Sequence, residues 1–310
     1  MFGPLLTGVI PALITPLDGQ GNVLTDLAKP IIRMYLREKA DGLYALGWTG
    51  EGAYLSPAKR KQWTEAILSY GKNMLPIIIH VGYNKNLQDS VDLAKHAEQY
   101  GAFAVASVGI GEDASLEENI DYFKRISASA PDTPFLIYWV AQGKTLTCGK
   151  DISPREILYA LEKVPTFRGI KFTDTNFYLL ERFKKYRPDV TILTGADELA
   201  VASQLMGADG NIGALQAVTC YHHKLIWQKF IEGNIAEARK LQYQANEVSE
   251  FYGKAEIGNL PGIKALFDRI YGIPAGHTSP ESPFAAKLPA GKEIDALEAV
   301  FRKNIITASY

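Results

Sequence analysis

Cysteine is nearly absent from this 310-residue chain: two residues, Cys148 and Cys220, lie far apart. They form no metal-ligand spacing, and so low a count suits a reducing compartment better than a disulfide framework. An excess of charge is absent too, with 33 basic and 34 acidic residues and a formal net charge of -1. Without a basic stripe, a nucleic-acid partner is not expected. No run of about 18 apolar residues occurs, so neither is a membrane-spanning helix. The first residues, Met1-Phe2-Gly3-Pro4-Leu5, lack the charged and apolar regions of a secretory signal. A soluble cytoplasmic protein is the expectation. What the chain does contain, 47% hydrophobic and 22% charged residues, is ordinary globular composition with ample material for a core.

Short apolar runs alternate with longer amphipathic stretches. Strands are expected over Gly8 to Pro16, Gly42 to Gly47, Pro76 to Gly82, Ala102 to Gly109, Pro134 to Val140, Phe167 to Thr173, Val190 to Gly195 and Gly210 to Ala214. Helix starts lie between them. Ser56-Pro57 supplies an N-cap followed by proline in the first turn. Ser115 with Glu118, and Ser153 with Glu156, have capping-box spacing. Eight such units over roughly 230 residues point to an α/β fold, a closed (β/α)8 TIM barrel. The competing doubly wound sheet usually carries a Gly-rich dinucleotide fingerprint after its first strand. Here that strand ends in Ile14-Thr15-Pro16-Leu17, without one. The strand signals stop near residue 232. Ile235 to Phe251, Asn259 to Tyr271 and Lys292 to Asn304 read as helices, with a loop from Gly272 to Pro289. The expected organisation is a barrel over 1–232 and a C-terminal helical extension over 233–310, packed on the barrel or on a neighbour.

Chemistry in such barrels sits at the C-terminal strand ends. Lys171 stands out there, within the apolar run Phe167-Arg168-Gly169-Ile170-Lys171-Phe172-Thr173. Burial disfavours an ammonium, and a neutral amine attacks carbonyl carbon to form a Schiff base. The plain alternative is a strand-end lysine whose head reaches water. Alternation puts Lys171 on one face with Gly169 and Thr173, and Tyr138 with Leu136 and Val140. Gly47-Trp48-Thr49-Gly50-Glu51-Gly52 reads as a tight turn with an exposed Thr, whose amides would suit a carboxylate or phosphate. At His80, a hydrogen-bonded structural role is more common than catalysis. Asp197 and Glu198 follow Gly195 at a helix start, where dipole complementarity alone explains acidic residues. Glycines in Gly207-Ala208-Asp209-Gly210-Asn211-Ile212-Gly213 would suit a phosphate, but no Lys or Arg accompanies them.

These residues, in order along nearly the whole chain, resemble the pyruvate-dependent class I aldolases that include dihydrodipicolinate synthase and N-acetylneuraminate lyase. Gly47-Trp48-Thr49-Gly50-Glu51 is similar to that family's carboxylate-binding loop, Tyr138 to its strand-five tyrosine and Gly169-Ile170-Lys171 to its Schiff-base strand. His80-Val81-Gly82, Lys171-Phe172-Thr173-Asp174-Thr175 and Gly195-Ala196-Asp197-Glu198 resemble the lyase branch more than the synthase branch. The resemblance implies Lys171 as nucleophile and Tyr138 as proton shuttle. It also implies Thr49, Gly50, Thr173, Gly195, Asp197, Glu198 and Ile212 as substrate-binding residues.

The chemistry so implied is cleavage of a 2-oxo sugar acid, N-acetylneuraminate foremost, to pyruvate and an aldehyde such as N-acetylmannosamine. It uses a covalent Schiff base and no metal or organic cofactor. The partners are a small 2-oxo acid and a sugar aldehyde, and the family state is a homotetramer or homodimer. Four departures from the family pattern stand out. Trp48 replaces a Ser or Thr, and Gly109-Ile110-Gly111-Glu112-Asp113 lacks a tyrosine that reaches a neighbouring site. Trp139-Val140-Ala141-Gln142 replaces an Asn or His followed by Pro, and Ala214 replaces a Ser. They leave open another hydroxylated 2-oxo acid as substrate, or a paralogue that binds a sugar acid without cleaving it.

Overall fold

Each of the eight apolar runs contains a strand: β1 (Gly8–Val9), β2 (Leu43–Ala45), β3 (Ile77–Gly82), β4 (Ala104–Val108), β5 (Phe135–Val140), β6 (Phe167–Thr173), β7 (Thr191–Thr194) and β8 (Gly210–Asn211). The computed structural model describes residues 4–83, 86–140, 144–148, 150–254, 259–285 and 291–308. Ala141, Gln142 and the end of the loop running to Pro289 lie outside them. The strands pair in parallel in the order β1-β8-β7-β6-β5-β4-β3-β2. The sheet then closes on itself. Leu13 donates to the Tyr44 carbonyl at 2.8 Å, and Tyr44 to the Pro11 carbonyl at 3.0 Å. That closure separates a barrel from an open sheet.

The expected first and last strands are longer than β1 and β8. Both taper into loops where the backbones crowd. A Cβ at Gly210 would lie 2.3 Å from the Gly8 carbonyl oxygen, so the strand-eight glycine permits barrel closure. That close approach accounts for it without a phosphate.

Parallel strands buried on both faces read as continuous apolar runs. One face of the strands fills the barrel with Ile10, Tyr44, Ile78, Ala106, Leu136, Leu193 and Ile212. The other packs against α1 (Ala28–Arg37), α2 (Pro57–Gly71), α3 (Leu87–Tyr100), α4 (Leu116–Ser129), α5 (Lys144–Thr147), α6 (Pro154–Leu161), α7 (Phe177–Tyr186), α8 (Ala200–Leu205) and α9 (Gln216–Ile231). Ser56 caps α2 by accepting from Lys59 N–H, and Ser115 and Ser153 complete reciprocal capping boxes with Glu118 and Glu156.

After α9 come α10 (Ile235–Lys254), α11 (Asn259–Tyr271) and α12 (Gly291–Asn304). The 232/233 boundary expected from sequence falls in the turn between α9 and α10. These last helices reach the strand ends. Gln242 on α10 donates to the Asp197 carbonyl at 3.0 Å and accepts from Val201 N–H at 3.1 Å. Among the described residues, no helix is long and apolar enough to cross a membrane.

Candidate active site

Lys171 and Tyr138 are register partners on β6 and β5. Both side chains point into the barrel. Lys171 is 5% exposed, and its Nζ lies 4.2 Å from the Tyr44 ring centroid and 4.3 Å from that of Tyr138. Among the described residues its amine has no hydrogen-bond partner. Two aromatic faces favour a cation by about 0.5–2 kcal/mol each, which does not replace lost hydration. Burial therefore brings the amine down to about 7, against the opposing pull of Asp197. At neutral pH roughly a thousandfold more of it is free base than for an ordinary lysine. Burial also raises Tyr138, and Thr173 beside it opposes that shift.

Beside this pair a cleft of about 400 Å³ opens, lined by Trp48, Thr49, Thr173, Gly195, Asp197 and Glu198 and closed by Leu260, Ile263 and Phe284. Thr49 is buried rather than exposed as the turn pattern suggests, because the turn folds back over the barrel mouth. Among the described residues, neither the Thr49 hydroxyl nor the Thr49 and Gly50 amides have a hydrogen-bond partner. The Gly50 carbonyl is held by the Thr15 hydroxyl at 2.7 Å. Three donors left free at one turn are a ready site for an anionic oxygen. Trp48 stands at the rim, 53% exposed and edge-on to Tyr54.

Asp197 is 7% exposed, while Glu198 is exposed. They head the short 3-10 turn Asp197–Leu199, but Asp197 does not cap it. Its Oδ2 accepts from Leu215 N–H at 2.8 Å, beyond β8. Burial raises Asp197 to about 7, opposed by that amide. Thr173 Oγ1 is buried without a well-formed hydrogen bond. Ile212 differs from Thr49, Thr173, Gly195, Asp197 and Glu198, which line the cleft. It lies in the barrel-filling layer at 1% exposure and is not part of the cleft lining.

The structural role expected for His80 is what the fold shows, whereas Trp139 does not alter the pocket as its place beside Tyr138 suggests. His80 is wholly buried. Its Nε2 lies 2.9 Å from the Gly82 carbonyl and must carry the proton, so Nδ1 accepts from the Tyr44 hydroxyl at 2.5 Å. Burial, then the charges of Arg60 and Lys171, hold its pKa well below the usual range. His80 is thus a neutral prop that fixes the Tyr44 ring under Lys171. Trp139 turns away from the cleft. It stacks on Phe172, meets Phe183 edge-on and donates to Asp174 at 2.8 Å. Alternation explains this, since its neighbour Tyr138 faces inward.

Lys264 was not legible as a site residue. From α11 it reaches the barrel mouth, where it pairs with Glu51 at 2.7 Å and donates to the Thr15 carbonyl at 2.8 Å. Glu51 also accepts from Ser279 N–H at 2.6 Å. The C-terminal helices thereby clamp the Thr49–Gly50 turn.

The Lys171 environment predicts a pH profile. Free base rises as pH climbs through about 7, so imine formation with pyruvate should rise tenfold per pH unit below 7 and level off above it. Asp197 titrates in the same range, so the observed midpoint belongs to the coupled pair. Borohydride trapping against pH measures it; a midpoint near 10 would mean an ordinary ammonium.

Fold and site define the class, a (β/α)8 barrel enzyme of the class I aldolase type. Residues 5–290 match the dihydrodipicolinate synthetase family. The N-acetylneuraminate lyase of Citrobacter koseri is 31% identical over 264 residues, covering 84% of this chain and 86% of that one. The Ruminococcus gnavus sialic acid aldolase, solved as a catalytic lysine mutant, superposes with a TM-score of 0.89 at 25% identity over 97% of both chains. The N-acetylneuraminate lyase of Fusobacterium nucleatum complexed with pyruvate superposes with a TM-score of 0.85 at 27% identity, covering 97% of this chain and 98% of that one. The chain belongs to the dihydrodipicolinate synthetase family.

Proposed function

We propose that this protein is an N-acetylneuraminate lyase that cleaves its substrate to pyruvate and N-acetylmannosamine through a Schiff base on Lys171. The observation that carries the reading is the burial of the Lys171 amine between Tyr44 and Tyr138, beside an open cleft, which brings its pKa down to about 7. Relatives bearing the lyase name support it.

The open-chain 2-oxo acid enters with its carboxylate at the free donors of Thr49 and Gly50. The Lys171 amine attacks C2, and loss of water leaves an iminium. Tyr138, kept neutral by burial, passes its phenolic proton to the bound substrate carboxylate as it takes the proton of the C4 hydroxyl. The C3–C4 bond breaks, its electrons flow into the iminium to give an enamine, and the stored proton is the one that later returns to C3. Aldehyde leaves, C3 is protonated, and water releases pyruvate and the amine. Asp197 and Glu198 meet the hydroxyls of the departing half, with Thr173 and Gly195 beside them. The iminium is the electron sink, so the chemistry requires no metal or organic cofactor.

Pyruvate release from N-acetylneuraminate, set against a panel of other hydroxylated 2-oxo acids, tests the assignment. N-acetylneuraminate should have the highest kcat/KM of the panel; another substrate ahead of it would reassign the aldehyde half. Tyr138→Phe should lower kcat by about 10²–10⁴ while leaving Lys171 trappable by pyruvate and borohydride. Undiminished turnover in Tyr138→Phe would move the proton shuttle elsewhere. A cytoplasmic homotetramer or homodimer fits the low cysteine count and the symmetric habit of such enzymes, and light scattering reads the assembly.

A further inference from the structure

Behind the cleft, two buried acceptors face each other with no donor between them. Asp197 Oδ1 and His223 Nε2 both lack a hydrogen-bond partner, and they lie 3.9 Å apart. His223 sits on α9, whose first turns break at Thr219 (φ -116°, ψ 21°). There the Thr219 hydroxyl donates to the Leu215 carbonyl at 2.9 Å. His223 Nδ1 lies 2.9 Å from that hydroxyl oxygen and 3.2 Å from the Thr219 carbonyl. A carbonyl only accepts, so Nδ1 carries the ring proton of the neutral imidazole. The lone pair of Nε2 is then aimed at a carboxylate oxygen. In a dry interior, facing lone pairs without a proton between them are unfavourable, because neither acceptor recovers the hydrogen bond it made to water. Space for Asp197 here is reserved: a Cβ at Gly213 would sit 1.6 Å from its Oδ1.

We propose that His223 is a positioning residue that shares one proton with Asp197 and so fixes the face Asp197 turns toward the hydroxylated half of the substrate. This rests on the lyase reading for its substrate, and on the observed pair alone for the proton. The proton closes the gap to hydrogen-bond distance, leaving Oδ2 on the Leu215 amide. Other charged groups act on the pair from each side. Lys171 faces Asp197 from β6, Glu198 adjoins it, and His222 lies 6.5 Å from His223, ring to ring. α10 contributes the neutral Gln242, which fixes the Asp197 backbone. Burial holds His223 below its usual range and Asp197 above its own, so the two affinities for a proton approach each other.

Three variants and one spectroscopic titration test this. His223→Phe removes the proton partner; it should raise KM for the sugar acid at least tenfold and shift the pH profile of KM. kcat should change less, and pyruvate trapping at Lys171 should persist. His223→Gln, whose amide can donate to Oδ1, should recover most of the lost KM. Equal KM in wild type and His223→Phe, or equal damage from Gln and Phe, overturns the proposal. Nitrogen-15 NMR of His223 in the unliganded protein reads the shared proton without turnover. Asp197→Asn should shift the Nε2 titration, and an unmoved titration overturns the pairing. The lyase reading fails separately, by absence of pyruvate release from wild type.

Discussion

Lys171→Met is expected to lose turnover by a factor on the order of 10⁴ or more, the usual scale for removing a covalent nucleophile. No pyruvate adduct should form. Stability should move the other way. The wild-type fold must strip a proton from a group that stays charged in the unfolded chain to about pH 10.5. A lysine whose folded pKa is lowered to about 7 binds fewer protons folded than unfolded between those values. Wild-type stability therefore rises with pH across that window. Methionine has no proton to lose, so the variant should lack this slope and be more stable near pH 7 by about 1–4 kcal/mol, as when a buried charge gives way to a packed apolar group. Urea unfolding at pH 7 and pH 9 measures both effects. A destabilised Lys171→Met would mean that the amine is a structural cation.

Lys264→Met is expected to cost about 3–5 kcal/mol, because it strands the Glu51 carboxylate in a dry interior. Glu51 is 0% exposed and Lys264 2%. Glu51 adopts a left-handed backbone (φ 56°) at the end of the Thr49–Gly50 turn, so loss of its partner should also loosen the carboxylate site. The expected kinetic result is a rise in KM for pyruvate-bearing substrates of about tenfold or more, given how steeply binding follows geometry. The double variant Glu51→Gln/Lys264→Met should recover most of the stability, because the amide still accepts from Ser279 N–H without a buried charge. Thermal unfolding of wild type, both single variants and the double variant reads this cycle. Equal stability of Lys264→Met and wild type would mean that the pair contributes little.

Locality decided what was readable in the sequence. Strand alternation gave the strand-mates that share a face with Lys171 and with Tyr138, while barrel closure made those faces the inner ones, and three-residue spacing announced the capping boxes at Ser115 and Ser153. Trp139 was harder. It departs from the family pattern next to Tyr138, yet the same alternation sends it outward among the helices. Ile212 shows the opposite limit: its neighbours in sequence suggest the cleft, but barrel closure buries it. The clamp at Glu51 and the proton pair at Asp197 join residues hundreds or tens of positions apart, and no local pattern carries such contacts. His80 needed the structure for a different reason, since its neutrality follows from burial beside the charges of Arg60 and Lys171, and its tautomer from the Gly82 carbonyl that faces Nε2. The C-terminal helices were legible as helices, whereas their work at the strand ends, through Gln242 and Lys264, depended on packing.

Lys171 acts here as a nucleophilic amine, and every other role at the site depends on it. Incubation with pyruvate and borohydride, followed by peptide mass mapping, tests this most directly. One reduced pyruvyl imine per chain is expected, located on Lys171 and absent in Lys171→Met. No adduct, or an adduct on Lys264 or a surface lysine with Lys171 untouched, would contradict it.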